Sequence, residues 1–195
     1  MRFKLGRTEV SVSFSFFALL LLSATTRSSE IIRLSLITSL LHECIHLIFI
    51  LLFSGKIKSV RFSFMGGEIK RGDISLTATK EAVISLSAPV TNLLIGAGLY
   101  VLNVYEHFAI VNLIIGAFNL IPYEGFDGGR ALKRLLEGRV NEKTANNVAI
   151  LLSFIACFTF IALNGYLLIK NNGNILFLIT SAIMLISLII RLFSG

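Results

Sequence analysis

The sequence predicts an all-α polytopic membrane protein: six transmembrane helices, with a small membrane-associated β-hairpin or sheet between the second and third. Three observations predict it. Of 195 residues, 55% are apolar and only 15% charged, against about 25% charged in a typical soluble domain; the mean hydropathy is +0.83. Six segments are long and apolar enough to approach the roughly 20 residues a span needs: about 10–26, 31–53, 82–103, 107–122, 147–169 and 174–192. The basic residues fall almost entirely in alternate connections. A soluble enzyme, a disordered chain and a collagen-like chain are excluded. Cys44 and Cys157, both within apolar runs, are too few for a disulfide framework.

The first segment has two readings. Arg2, Lys4 and Arg7 before the apolar stretch 14–22 suit a secretory signal peptide as well as a retained span. Ser23-Ala24-Thr25 offers no A-x-A cleavage site, which favours retention. Orientation follows from Lys and Arg. The N-terminus, the connections after spans two and four, and the tail hold fifteen of the eighteen basic residues. Both termini are therefore expected in the cytosol. The net charge of +7 belongs to these flanking loops, and no nucleic-acid partner is expected.

The longest connection, 54–81, has 28 residues, too few for a domain of about 50. The chain is expected to be a single transmembrane domain, 1–195, with no soluble domain attached. Within the connection Val60, Phe62 and Phe64 alternate with Arg61 and Ser63, Gly66-Gly67 supplies a turn, and Ile74, Leu76 and Ala78 alternate again. This reads as a β-hairpin followed by a third strand. A basic amphipathic loop lying on anionic lipid fits the same pattern.

An ionisable residue at the bilayer centre costs roughly 2.5–3.5 kcal/mol on insertion scales. Span two nevertheless contains His42-Glu43-Cys44-Ile45-His46. On a helix, positions i and i+4 share a face, so both imidazoles can reach one metal ion. Glu43 beside them is suited to take a proton from an attacking water. With three His and eleven acidic residues, the pattern arises by chance in about 1 in 400 such chains. A hydrogen-bonded histidine pair between helices would leave Glu43 unexplained.

Zinc needs a third protein ligand. Asp127 is the leading candidate, because Pro122 ends the regular hydrogen bonding of span four and Gly128-Gly129 lets the chain bend. Glu124 is a rival and His107 a weaker one. Pro89 lies inside span three and frees a carbonyl. Asn92 and Asn119 are the amides nearby, either holding substrate or an oxyanion or simply bonding between helices.

Together, His42-Glu43-x-x-His46, Pro89-x-x-Asn92 and Asn119-x-x-Pro122-x-x-x-x-Asp127-Gly128 resemble the site-2 protease family of intramembrane zinc metalloproteases, over roughly 35–135. The small size and single Gly-Gly hairpin look most like the branch containing the stage IV sporulation processing protease. The resemblance implies one Zn²⁺ held by His42, His46 and Asp127, with Glu43 as catalytic acid/base. It also implies that 58–71 pairs with an unwound substrate segment. The substrate would be a single-span, membrane-tethered protein released toward the cytosol, in a prokaryotic cytoplasmic membrane, with a membrane regulatory partner compatible with the family. Ala88 and Phe126 stand where the family usually has glycine and leucine. The sporulation protease's regulatory C-terminal domain is not expected here, nor an extracytoplasmic peptide-binding insertion. A catalytically silent scaffold of the same fold and a metal or ion transporter are the alternatives. His46 precedes Phe53 by seven residues, or about 10 Å of helix, so the metal is expected within the bilayer, nearer the cytosol.

Overall fold

The computed structural model describes residues 2–5, 8–12, 29–54, 57–63, 66–71, 76–170 and 175–194. Among the described residues the chain forms four strands and six helices: β1 (Arg2–Leu5), β2 (Thr8–Val12), α1 (Ser29–Ser54), β3 (Ile57–Ser63), β4 (Gly66–Arg71), α2 (Ala78–Val101), α3 (Glu106–Asn119), α4 (Asp127–Glu137), α5 (Glu142–Ile169) and α6 (Ile175–Ser194). The chain divides into two compact units, 1–119 and 120–195.

The first unit holds the sheet and helices α1 to α3. The strand order is β1-β2-β3-β4. β1 and β2 pair antiparallel, β2 and β3 parallel, and β3 and β4 antiparallel with an irregularity between Ile57 and Ser59. The register places Phe3, Val10, Val60 and Ile69 opposite one another across the four strands. Residues 10–12, expected to open the first span, belong instead to β2; the rest of that span, 13–26, lies outside the described residues.

The expected third strand is also replaced, because Ala78 is the first residue of α2. Thr77 stands in extended conformation before it, and its hydroxyl accepts the Lys80 N–H at 3.4 Å. An N-cap ahead of a long apolar run outweighs a short alternation. Ile74 lies outside the described residues.

Helix α1 segregates its side chains. Thr38, His42, His46 and Ile50 are buried and spaced by four, while Ile37, Leu41, Ile48, Leu51 and Leu52 are exposed. That is the pattern of a helix with one face on protein and the other on lipid. Helices α2 and α3 approach closely at glycines. A Cβ on Gly96 would lie 2.8 Å from the Ala109 carbonyl oxygen, and one on Gly116 would lie 2.8 Å from that of Pro89. Small residues let helix backbones meet where apolar burial gives no drive. Asn112 of α3 adds a bond to Thr38 of α1 at 3.4 Å.

In the second unit, Asn141 caps α5 by accepting the Thr144 N–H at 2.8 Å. Tyr123, Cys157, Met184 and Leu188 form a buried cluster with Ile121, Phe126 and Phe154 against it. The Tyr123 hydroxyl donates to the Met184 carbonyl at 3.2 Å.

Among the described residues, three helices are long and apolar enough to cross a membrane: Glu30–Phe53, Ala78–Val101 and Glu142–Ile169. The chain is an integral membrane protein on this evidence. Helix α3, where the fourth span was expected, has only 14 residues, about 21 Å of helix against a hydrocarbon core of about 30 Å. In α6 the apolar stretch noted among the described residues is the shorter Ser181–Ile190.

Candidate metal centre

His42 and His46 lie one turn apart on the buried stripe of α1, their ring centroids 4.9 Å apart and nearly perpendicular. Glu43 is half-buried next to His42, and Cys44, turned the other way, is exposed. The surroundings of the two rings decide what they can do. His46 Nδ1 lies 2.9 Å from the Ile84 carbonyl oxygen of α2. A carbonyl only accepts, so Nδ1 carries the proton, and Nε2 of the neutral ring carries the lone pair that a metal needs.

A proline disturbs α2 one turn beyond that carbonyl. Pro89 has no N–H, so it cannot close the bond to Ser85, and its ring crowds this turn. One residue earlier, Ile84 receives both His46 Nδ1 and, at 2.7 Å, the Ser87 hydroxyl. The same helix brings Asn92 to the other ring. Its amide nitrogen lies 3.3 Å from His42 Nδ1, and the side chain is fully buried.

Asp127 is the first residue of α4 and is 1% exposed. Its carboxylate accepts from the Arg130 guanidinium, three residues on. The turn before it is tight. Tyr123 N–H bonds to Ile121 O at 2.7 Å and Phe126 N–H to Tyr123 O at 2.8 Å. A Cβ on Gly128 would overlap the Leu120 backbone, and one on Gly129 the Tyr123 backbone. Only glycine lets the chain fold back this closely, which is the bend the Gly-Gly pair implied.

The rival ligands have other occupations. Glu124 pairs with Lys133 at 3.2 Å, its own N–H donates to Ser153 Oγ at 3.0 Å, and Lys133 also reaches Asn146 at 3.0 Å. That is a structural clamp between α4 and α5. His107 is exposed at the start of α3, 3.3 Å from Glu30. Asn119 is half-buried at the end of α3 and donates to the Ile115 carbonyl at 3.0 Å. Two residues escaped the sequence reading. Arg130 belongs to the basic connection after the fourth expected span, yet it stands three positions after an acid, which on a helix is pairing distance. Ile84 acts through its backbone carbonyl, which leaves no mark on the sequence.

The sequence profile of Peptidase family M50 matches residues 97–163. This stretch includes Asn119, Pro122 and Asp127. No curated protein matches. Among solved structures, a site-2 protease from Methanocaldococcus jannaschii superposes with a TM-score of 0.65 and 21% identity, over 94% of this chain and 91% of the other. The similarity shows a shared fold.

Proposed function

We propose that this chain is an intramembrane zinc endopeptidase that hydrolyses a peptide bond in or near a transmembrane segment of a membrane-tethered protein. The observation that carries the reading is the His46 tautomer. A buried imidazole on a membrane helix gives its Nδ1–H to a backbone carbonyl, one turn from a second buried imidazole and within the same turn as Glu43. Ligating histidines are held in this way. The fold of the archaeal site-2 protease and the M50 match support it.

His42, His46 and Asp127 are the proposed ligands, two imidazoles and a carboxylate, the kind of donor set catalytic zinc uses. When bound there, zinc supplies Lewis-acid polarisation of the scissile carbonyl and makes water a nucleophile at neutral pH. Glu43 takes the proton from the attacking water and returns it to the leaving nitrogen. Arg130 orients the Asp127 carboxylate. Substrate must be unwound before its peptide bond is exposed, and the edge strand β4 offers an extended partner. β2 already lies against β3 on the other side. Single-span substrates with helix-breaking residues suit this, with release toward the cytosol as the basic-residue count indicates. Placement with the stage IV sporulation processing proteases stands on small size and the Gly66-Gly67 pair alone.

The test is reconstitution in vesicles with a single-span reporter carrying a helix-breaking residue. Cleavage is expected to cease when the protein is stripped with chelator and to return when zinc is added back. Cleavage that persists unchanged in fully stripped protein would overturn the proposal.

A further inference from the structure

Asn92 has a buried amide oxygen with no hydrogen-bond partner, although its amide nitrogen reaches His42 Nδ1. Asn119 and Asn164 each donate to the carbonyl four residues back, at 3.0 and 2.8 Å. Asn112 does so at 2.9 Å while also reaching Thr38 of α1, and its oxygen too has no partner. The contact of the Asn92 amide is instead to the imidazole of His42 on α1.

The two ends of an amide are assigned from their partners. If Nδ2 donates to His42 Nδ1, the neutral imidazole must carry its proton on Nε2, and that nitrogen then has no lone pair for a metal. If the amide is turned over, Oδ1 accepts the Nδ1–H, the buried oxygen gains a partner, and Nε2 becomes the ligand atom. The second arrangement also matches His46. There the Ile84 carbonyl, eight residues earlier on the same helix, permits only a protonated Nδ1. Turning the amide over leaves its nitrogen at the unpartnered end, so burial alone does not choose between the two, and the parallel with His46 carries the assignment.

We infer that Asn92 is a positioning residue whose Oδ1 accepts the Nδ1–H of His42, so that α2 sets the tautomer of both histidines, with Ile84 O serving His46. The inference builds on the metallopeptidase reading and gives Asn92 a task distinct from both sequence readings, a substrate or oxyanion contact and a plain bond between helices. Such partners typically carry 10–100-fold in metal affinity. Gly116 supports the arrangement from behind, because its missing side chain lets α3 lie against the Pro89 turn of α2.

The experiment is ¹⁵N NMR of histidine-labelled protein in detergent. The chain has only three histidines, so single substitutions assign the signals. Metal-free protein at about pH 8, above the ordinary histidine range, is expected to show His42 protonated at Nδ1. Zinc titration is expected to show a 10–100-fold loss of affinity in Asn92→Leu, with His42 no longer confined to the Nδ1–H form. Asn92→Asp, which keeps an acceptor, is expected to retain both the affinity and the tautomer. A role in packing alone predicts the reverse order, since leucine preserves volume and a buried carboxyl does not. His42 protonated at Nε2 in the metal-free wild type, or Asn92→Asp losing zinc as Asn92→Leu does, would overturn the inference. If Asn92→Leu does not fold, the wild-type tautomer and Asn92→Asp decide. A wild type that binds no zinc refutes the peptidase reading instead, and the metal-free tautomer still tests Asn92.

Discussion

Glu43→Gln is expected to lower peptide cleavage by about 10²–10⁴-fold while leaving zinc content unchanged. Glutamine matches glutamate in size and in hydrogen-bonding reach, so α1 and its half-buried position beside His42 should be undisturbed. What disappears is a group that accepts a proton and gives it back. At 1.36 kcal/mol per tenfold, the loss corresponds to about 2.7–5.4 kcal/mol of transition-state stabilisation. Parallel measurement of cleavage rate and zinc per chain checks this. A variant that cleaves at the wild-type rate would remove Glu43 from the chemistry.

The second large effect is expected at Gly129, which carries no chemistry. Its Cβ position falls on the Tyr123 backbone, two residues beyond Asp127. Backbone cannot rotate aside as a side chain can. Gly129→Ala must therefore push the start of α4 away from the turn at 121–126, at a cost of roughly 1–3 kcal/mol or more. Asp127 moves with it. The expected result is a lowered thermal midpoint together with weakened zinc binding, read by thermal unfolding in detergent and metal titration. Gly165 offers an internal control, since a Cβ there meets nothing within 4 Å. Gly165→Ala should leave both readings near wild type.

The features legible in the sequence were those set by local chemistry. Two histidines and a glutamate in an apolar run have few innocent explanations, and the i, i+4 spacing alone puts both rings on one face of α1. The bend around Asp127 was legible because proline and glycine act on their own backbone. The strands at the N-terminus were harder to see. Arg-Phe-Lys-Leu and Thr-Glu-Val-Ser-Val alternate with period two, yet charges before an apolar stretch are equally the mark of a membrane anchor. Their partner, β3, lies some fifty residues away. Helix α4 carried Ala131, Leu132, Leu135 and Leu136 at helical spacing, with Gly138 closing it. Eleven residues of modest apolarity read as well as a connection between spans. The partners of the histidines were beyond reach, because a backbone carbonyl at Ile84 and the orientation of one amide exist only once α1 and α2 are packed.

The central claim is that His42, His46 and Asp127 hold one catalytic metal ion, and it is tested most directly by zinc per chain in protein purified in detergent without chelator. About one zinc per chain in the wild type, falling sharply in Asp127→Ala that remains folded, is the predicted result. No zinc in the wild type, or an undiminished content in Asp127→Ala, would contradict it.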